Sequence, residues 1–325
     1  MELNKPDTNN VRFSDEQPAL GDSRQEILAG LTQDQKVINP KYFYDQVGSQ
    51  LFDQITRLPE YYPTRTEVEI LTRHRQEISD HCERGCVFIE PGSGSCEKVR
   101  LLLDELRPSA YVPIDISADF LLEAAQQLGR EYPWLTIHAV CADFNHSWSF
   151  TSDLPPGKRV VFYPGSTIGN LEPEQALAFL KRLRAMLGDD GGALIGVDLH
   201  KSSERLNAAY NDGKGITAAF NRNVLNRVNT LLDAEFSPDL FAHHAFYNSE
   251  EQRIEMHLVS TESQAVRCNG SHIRFTKGES IHTENSYKYT LESFAALSAR
   301  AGLHLERSWL DAEQLFSVHY LRASP

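Results

Sequence analysis

The chain has 325 residues, 41% of them hydrophobic, which suits one large globular domain or two modest ones and excludes a disordered chain. Lysine and arginine total 32 against 45 aspartate and glutamate, giving a net charge of −13, and no basic run offers the patch that nucleic acid needs. The N-terminus does not resemble a signal peptide, and no apolar run reaches the roughly 20 residues of a membrane span. We therefore expect a cytoplasmic protein with a small-molecule ligand and with neither a nucleic-acid nor a membrane partner.

The cysteines and histidines do not indicate a disulfide framework or a metal centre. Five cysteines are an odd number in a chain long enough to fold without disulfides, so we expect free thiols. Cys82 and Cys86 lack a second Cys or His pair at ligand spacing, and His243-His244 belongs to no H-E-x-x-H type of motif. The sequence therefore predicts no metal site.

A helical pattern extends from Ser23 to about His81. Pro63 interrupts it, and Thr64 with Glu67 has the spacing of a capping box. We therefore predict that a helix begins at Thr64 and that Tyr61 lies on the connection before it.

Short β-branched runs alternate with helical stretches from Cys86 to about Leu199. This alternation is typical of a parallel sheet with helices on both faces. The predicted strands are Val87–Glu90, Tyr111–Ile114, Leu135–Val140, Arg159–Tyr163 and Ala193–Val197, and the predicted helices are Glu97–Leu106, Ala118–Leu128 and Glu174–Leu187.

The pattern changes after Lys201, where two helical stretches and a β-rich run form an insertion. The tail then returns to a helix and two strands, which we expect to pair antiparallel at a sheet edge because a short turn joins them. The sequence thus predicts a doubly wound α/β domain interrupted by a smaller α+β domain. The predicted boundaries are 1–65 and 201–287 for the smaller, substrate-binding domain, with 1–22 flexible, and 66–200 and 288–325 for the sheet domain.

Polar residues and glycines follow three successive strands. The third glycine of a dinucleotide loop that starts at Gly92 would fall at Glu97, where a carboxylate would repel a pyrophosphate. S-adenosylmethionine (SAM) carries no phosphate and tolerates acidic neighbours. Asp115 ends the second strand, where it can accept the ribose hydroxyls, and Asp143-Phe144 follows the third, where it can contact adenine. The sequence therefore favours SAM over NAD or FAD.

Long motifs lie at Tyr44–Ser49, Leu51–Arg65, Gly165–Leu171, Phe220–Asn223 and Arg253–Met256. They closely resemble the histidine-specific SAM-dependent methyltransferases, and the similarity extends from about Val37 to Leu321. The resemblance implies a Rossmann-like class I methyltransferase sheet. It also implies that the protein trimethylates the α-amine of L-histidine to hercynine, the first step toward ergothioneine.

The resemblance implies roles for individual residues as well. Tyr44 and Met256 would line the pocket, and among the residues themselves we identify no dedicated catalytic base. Glu284 would accept one imidazole N–H, and Ser286 would engage the other ring nitrogen from the same side of an extended segment. The implied cofactor-binding residues are Gly92, Lys98, Asp115, Asp143 and Phe144, and the implied histidine-binding residues are Tyr61, Asn170, Tyr210, Glu284 and Ser286.

Methyl transfer from a sulfonium needs alignment and a free lone pair on the acceptor nitrogen. The α-amine of histidine is mostly protonated at pH 7, so the site must desolvate it or pass its proton to water or a nearby acceptor. The amide of Asn170 and the hydroxyls of Tyr44 and Tyr210 can hold the backbone end of the amino acid. The rings of Tyr61 and Tyr210 suit a quaternary ammonium product, because aromatic faces stabilise cations.

Two other functions stay open on the sequence alone. Relatives of this family methylate 4-dimethylallyltryptophan, a prenylated tryptophan, but Met256 leaves little room for it, and Glu284 with Ser286 suits an imidazole better. A non-catalytic sensor of SAM or an amino acid would have lost residues at the amino-acid site, and none is missing. We expect a histidine methyltransferase that acts as a monomer, because no long apolar stripe is left uncovered.

Overall fold

The computed structural model describes residues 10–16, 20–143, 154–268 and 270–323. Within these ranges the chain forms an eight-stranded sheet, a four-stranded sheet and a two-stranded hairpin. The strands are β1 (Val11–Asp15), β2 (Lys36–Val37), β3 (Val87–Pro91), β4 (Ala110–Asp115), β5 (Ile137–Cys141), β6 (Arg159–Tyr163), β7 (Gly192–Asp198), β8 (Phe241–Asn248), β9 (Arg253–Ser260), β10 (Gln264–Cys268), β11 (Ser271–Phe275), β12 (Ser280–Tyr287), β13 (Leu303–Leu310) and β14 (Phe316–Ala323). The α-helices are α1 (Leu20–Leu31), α2 (Gln46–Thr56), α3 (Tyr62–Cys82), α4 (Arg100–Leu106), α5 (Ala118–Glu131), α6 (Pro173–Leu187), α7 (Ser203–Tyr210), α8 (Ile216–Leu232) and α9 (Leu291–Arg300).

The large sheet has the strand order β1-β5-β4-β3-β6-β7-β14-β13. Neighbouring strands from β1 to β7 are parallel, whereas β14 is antiparallel to both β7 and β13. The apolar side chains of the sheet pack against α3, α4 and α5 on one face and against α6 and α9 on the other. This is the predicted doubly wound α/β sheet, and the prediction of an antiparallel pair of final strands at one edge is confirmed.

The order of the strands reverses between β3 and β6. From β3 the chain winds outward through β4 and β5, then crosses back to β6 on the other side of β3. In open α/β sheets, ligands bind at the carboxyl ends of the strands where this reversal occurs. The residues just after β3 and β6 are therefore placed at the expected ligand site.

The strand β1 was not predicted and corrects the assignment of residues 1–65 to the smaller domain. It pairs in parallel with β5 at one edge of the large sheet, with Val11 opposite Ile137. The side-chain amide of Asn10 supports this strand by donating to the carbonyls of Gly129 and Leu135. A five-residue edge strand in a polar segment has too short a pattern to be detected from the sequence.

The start of α3 differs from the prediction of a capping box. The helix begins at Tyr62, Tyr61 is its N-cap residue, and no side chain caps it. Pro63 lies in the first turn of the helix, where a backbone N–H would have no hydrogen-bond partner within the helix, so the N–H that proline lacks is not needed. Glu67 is completely buried, so it does not cap the helix with Thr64.

The four-stranded sheet has the order β2-β12-β9-β8 and packs against α1, α2, α7 and α8 around its own apolar core. At the centre of this core, the rings of Phe43 and Phe220 stack with centroids 4.6 Å apart. The buried amide of Asn221 donates to the carbonyl of His257 and accepts from the hydroxyl of Thr283. Helix α8 therefore braces the inserted strands.

The helices and the cysteines of the described residues can each be compared with what the sequence indicates. None of the helices there combines the length and the apolar character required to cross a lipid bilayer. All five cysteines are free and buried, in agreement with the expectation from their odd number.

Candidate active site

A cavity of about 730 Å³ opens at the carboxyl ends of β3 and β6 and extends to the four-stranded sheet. Every described residue to which the sequence assigned a binding role lines it, as do Tyr44 and Met256. Phe144 lies outside the described residues. The assigned residues in the cavity wall are Gly92, Lys98, Asp115, Asp143, Tyr61, Asn170, Tyr210, Glu284 and Ser286.

The loop after β3 brings backbone rather than side chains to the cavity. Gly92 and Gly94 have φ values of 69° and 51°, which glycine adopts without strain. No atom lies within 4 Å of the position where a Cβ on Gly94 would project, so space is free beside this loop. Helix α4 begins at Arg100, three residues later than predicted, so Glu97 lies in the preceding turn rather than in the helix.

Asp115 connects the loops that follow β3 and β4. One carboxylate oxygen accepts the N–H of Gly94 at 3.0 Å, and the other accepts the N–H of Ser117 at 3.0 Å. Burial raises the pKa of Asp115, and the backbone N–H groups oppose this effect. The side chain is therefore fixed at the end of its strand with its carboxylate at the cavity wall.

Asp143 follows β5 and forms an ion pair with a residue of the smaller part of the molecule. Lys41 lies in a 3₁₀ turn before α2, and its Nζ is 3.0 Å from Asp143 and 2.7 Å from Glu26. Burial lowers the pKa of Lys41, but the hydrogen bonds that Lys41 donates to the two carboxylates outweigh this effect and raise the pKa. Lys41 closes this side of the cavity, and no motif in the sequence identified it.

Glu67, which the sequence indicated only as part of a capping box, holds two residues of the cavity wall. Its buried carboxylate accepts the N–H of Gly165 at 2.9 Å and pairs with Lys98 Nζ at 2.5 Å. A Cβ on Gly196 would lie 2.0 Å from Glu67 Oε1, so any larger residue there would force the carboxylate to shift. Glu67 thus positions both Lys98 and the loop after β6, a role that its capping-box spacing concealed.

Glu90 lies next to the end of β3 and also lines the cavity. The hydroxyl of Tyr111 donates to its carboxylate. Burial raises the pKa of Glu90 to about 8, against the opposing influence of Tyr111 and Lys98. Burial therefore favours the protonated form of Glu90.

Asn170 ends a 3₁₀ turn, Thr167–Asn170, that follows β6. This turn lies against β12, since a Cβ on Gly169 would be 2.8 Å from the carbonyl oxygen of Tyr287. The turn is also tied to β7, because Ser166 Oγ accepts the N–H of Asp198. Gly169 therefore allows Asn170 to lie in the wall between the two sheets.

Aromatic rings form one side of the cavity. The rings of Tyr61 and Tyr210 meet edge to face with centroids 6.2 Å apart, and Phe52 contacts both Tyr61 and Tyr44 in the same way. Burial raises the pKa of all three tyrosine hydroxyls. All three hydroxyls therefore stay protonated at neutral pH, and that of Tyr210 donates to Ser286 Oγ.

Glu284 and Ser286 line the same end of the cavity from β12, as alternation along a strand predicts. Burial raises the pKa of Glu284 to about 8, while Lys288 acts in the opposite direction. Ser286 Oγ is 2.9 Å from the hydroxyl of Tyr210, which donates to it, and 2.7 Å from Nζ of Lys288. A carboxylate and a hydroxyl thus stand side by side in a buried wall.

Behind this wall lies a buried charge cluster that the sequence did not reveal. The carboxylate of Asp198, at the end of β7, is 2.6 Å from Nζ of Lys201 and 2.8 Å from Nζ of Lys288. It also accepts a hydrogen bond from the hydroxyl of Tyr62. Burial raises the pKa of Asp198, but the two ammonium groups outweigh this effect and lower it. Burial lowers the pKa of Lys201 to about 8.

Among the described residues, the donor atoms of Glu255, His257 and His282 all lie within 4.8 Å of one another. His257 is 3.0 Å from Glu255, but its ring stacks nearly parallel to that of His282, with centroids 4.5 Å apart and an angle of 16°. An imidazole binds a metal in the plane of its ring, so two stacked rings do not point at one ion. Arg253 also holds Glu255 at 2.9 Å, which makes this cluster a hydrogen-bonded stack.

Known proteins match almost the whole chain. A family model described as histidine-specific methyltransferase, SAM-dependent, matches residues 23–323. The chain is 44% identical over 295 residues to the histidine N-alpha-methyltransferase of Mycobacterium tuberculosis, which covers 89% of this chain and 91% of that protein. It is 45% identical over 294 residues to the protein of that name from Mycolicibacterium smegmatis, with coverage of 89% and 91%. A 4-dimethylallyltryptophan N-methyltransferase from Claviceps purpurea is 26% identical over 313 residues, with coverage of 88% and 90%.

The matched segment includes every strand from β2 to β14, so both sheets and the cavity between them lie inside it. The protein is therefore a SAM-dependent N-methyltransferase, and its large sheet is a class I methyltransferase sheet. The extent of the match and the identity to the mycobacterial enzymes place the chain in the family of histidine-specific, SAM-dependent methyltransferases.

Proposed function

We propose that this enzyme transfers three methyl groups from SAM to the α-amine of L-histidine, giving hercynine in the first step of ergothioneine biosynthesis. The observation that carries the proposal is the pairing of Glu284 and Ser286 in one buried wall of the cavity, next to Met256. The names of the two mycobacterial relatives support histidine as the substrate. The fungal relatives named as ergothioneine biosynthesis proteins support the pathway.

The loops of the large sheet fit SAM. The free space beside Gly94 would admit the cofactor close to the backbone, and the carboxylate of Asp115 would accept hydrogen bonds from the ribose hydroxyls. Asp143 would contact the adenine, and Lys98, held by Glu67, would face the carboxylate of the methionine part. When bound, SAM supplies the electrophilic methyl group and leaves as a neutral thioether.

The imidazole of histidine fits the end of the cavity formed by β9 and β12. Its ring N–H would donate to Glu284, and its other nitrogen would engage the hydroxyl of Ser286. A hydrogen bond from the ring favours the ionised form of Glu284, because it stabilises the carboxylate that burial otherwise disfavours. Met256 closes the space beside the ring.

The α-amine must lose a proton before each transfer. The tyrosine hydroxyls in the wall stay neutral phenols, because burial raises their pKa values, and a neutral phenol does not take a proton from an ammonium group. Glu284 is occupied by the imidazole in this arrangement. We infer that the proton passes to water while Asn170 and Tyr44 hold the backbone end of the amino acid, without a dedicated catalytic base.

Repeated methylation ends in a quaternary ammonium, which the aromatic wall suits. The rings of Tyr44, Phe52, Tyr61 and Tyr210 contact one another around the cavity. Aromatic faces stabilise a desolvated cation by about 2 kcal/mol. The enzyme can therefore retain the partly methylated cations until the third transfer is complete.

We also propose the division into a substrate-binding part (1–65 and 201–287, without β1) and a SAM-binding part (66–200 and 288–325). We also propose a monomer, because no long apolar stripe is left uncovered, and a cytoplasmic location, because no apolar run of the sequence reaches the length of a membrane span. Neither nucleic acid nor a membrane is expected as a partner, because the net charge is −13 and no basic run is present.

A panel of substrates tests the proposed function. The protein is incubated with SAM and, in separate reactions, each of the twenty amino acids and 4-dimethylallyltryptophan, and the products are identified by mass. Methylation of histidine alone supports the proposal. Methylation of the prenylated tryptophan in preference to histidine, or no methylated product at all, would overturn it and indicate the indole enzyme or a sensor.

A further inference from the structure

Lys288 contacts the amino-acid site from behind. It follows β12 directly, and its side chain is 0% exposed. Its Nζ lies 2.8 Å from a carboxylate oxygen of Asp198 and 2.7 Å from Oγ of Ser286. One buried ammonium therefore joins the charge cluster at the end of β7 to the hydroxyl in the cavity wall.

The surroundings of Asp198 fix the position of this ammonium. Tyr62, Lys201 and Lys288 all contact Asp198, and each lies on a different segment where the chain passes between the two sheets. The N–H of Tyr289 also donates to the Asp198 carbonyl at 3.1 Å. A lysine held this way has little freedom to turn from Ser286, because the alternative is a buried charge without a partner.

The hydrogen bonds at Ser286 determine what its hydroxyl can do. A hydroxyl has one donor and two acceptor positions, whereas an ammonium can only donate. Ser286 Oγ accepts from Lys288 and also from the hydroxyl of Tyr210, which burial keeps protonated. Both acceptor positions are filled, so the O–H of Ser286 is left to donate, and Ser286 lines the cavity.

The wall thus presents one acceptor, Glu284, beside one donor, Ser286. A neutral imidazole has one N–H and one lone pair and satisfies both. An imidazolium has two N–H groups, one of which would face the Ser286 donor. An indole has an N–H but no acceptor nitrogen, so it would leave the Ser286 hydroxyl unpaired in a buried site.

We propose that Lys288 is a positioning residue that fixes the Ser286 hydroxyl as a donor and thereby makes the site select the neutral imidazole ring. The inference rests on the proposed function, because it takes histidine as the substrate. Lys288 acts through Ser286 and does not contact the substrate. Its contribution is to specificity for the ring and its protonation state.

The first test observes the bound ring directly in the unaltered protein. Histidine labelled with ¹⁵N at both ring positions is bound together with S-adenosylhomocysteine, which prevents turnover, at pH 6, where roughly three-quarters of free imidazole is protonated. We expect one N–H type and one lone-pair type ¹⁵N resonance. Two N–H type resonances from a bound imidazolium would overturn the inference and leave the proposed function standing, whereas absence of bound histidine would overturn the proposed function itself.

The second test measures the preference for histidine over its pyrrole analogues, which keep one ring N–H and have C–H in place of the other nitrogen. In the wild type we expect a preference of about 10- to 100-fold over the better analogue, because a buried donor is left unpaired. For Lys288→Met we expect a preference for histidine of less than about threefold, because the Ser286 O–H can then turn to another hydrogen-bond partner. Thermal unfolding of each variant shows whether it is folded.

Lys201→Met is the matched control. Lys201 also pairs with Asp198 but does not contact Ser286, so this variant should keep the wild-type preference. An unchanged preference in Lys288→Met, or an equal loss in Lys201→Met, would overturn the inference. If Lys288→Met fails to fold, Ser286→Ala and the ¹⁵N spectrum together test whether the Ser286 hydroxyl donates to the ring. A wild-type preference for histidine in Ser286→Ala would overturn the inference.

Discussion

Glu284 on β12 lies directly opposite Met256 on β9, and both residues line the cavity. The pairing places a buried carboxylate beside an apolar side chain in the cavity wall. Burial is the main reason that the pKa of Glu284 rises to about 8. Burying an ionised carboxylate without a hydrogen-bond donor costs free energy. A ring N–H that donates to Glu284 would therefore contribute strongly to binding.

Replacement of Glu284 by alanine should weaken histidine binding. A hydrogen bond to a charged group contributes about 1.5–3 kcal/mol, so we expect the histidine Kd to rise roughly 10- to 150-fold. Isothermal titration calorimetry measures it in the presence of S-adenosylhomocysteine. Glu251→Ala, at an exposed glutamate, is the control and should leave the Kd unchanged. An unchanged Kd in Glu284→Ala would remove this residue from the histidine site.

Removal of the Tyr210 hydroxyl should have a smaller effect. Tyr210→Phe removes the hydroxyl that donates to Ser286 Oγ and keeps the aromatic ring. We expect the histidine Kd to rise about 2- to 12-fold, which corresponds to the loss of one neutral hydrogen bond. Tyr247→Phe is the matched control, because its hydroxyl makes only 3.3 Å contacts away from the cavity wall. Equal effects of the two substitutions would contradict the assigned role of Tyr210.

The contact between Gly196 and Glu67 makes a prediction about stability. A Cβ at position 196 would lie 2.0 Å from Glu67 Oε1, and Glu67 is buried and held by Gly165 and Lys98. We expect Gly196→Ala to lower the free energy of unfolding by about 1–3 kcal/mol. Urea unfolding measures this change. Gly213→Ala, where the nearest atom is 3.8 Å away, should change stability by less than about 0.5 kcal/mol, and an equally small effect at Gly196 would show that Glu67 moves freely.

The raised pKa of Glu284 predicts how stability depends on pH. Without ligand the folded protein keeps this carboxyl protonated up to about pH 8, whereas the unfolded chain releases the proton near pH 4.5. The folded state thus binds more protons between these values, and stability falls as pH rises from about 4.5 to 8.

The variant Glu284→Gln removes this share of the pH dependence. We expect the loss of unfolding free energy between pH 5 and pH 8 to shrink by an amount on the order of 1–4 kcal/mol. Urea unfolding at the two pH values measures it. The exposed Glu251→Gln should reproduce the wild-type dependence, and a wild-type dependence in Glu284→Gln would contradict the raised pKa.

The strand-end residues could be predicted because the order of the elements dictates where they meet. Parallel strands bring their carboxyl ends to one edge of the sheet, so Gly92, Asp115 and Asp143 had to lie near one another. Alternation along β12 likewise placed Glu284 and Ser286 on one side. The roles of these residues toward ligands remain predictions, which the substitutions above test.

Other parts of the site depend on contacts that no local pattern encodes. Asp198 and Lys288 are 90 residues apart in the chain and meet because two crossings between the sheets lie side by side. Lys41 reaches Asp143 from a separate turn, and Glu67 has a spacing that indicates a helix cap although it faces inward. Long-range ion pairs of this kind leave no periodic signal in the sequence.

The count and position of the methyl groups test the account most directly. The protein is incubated with L-histidine and an excess of SAM, and the product is analysed over time by mass spectrometry with fragmentation that separates the α-amine from the ring. We predict that histidine gains three methyl groups, all on the α-nitrogen. A methyl group on the imidazole, or a product that stops at one or two methyl groups, would contradict the account.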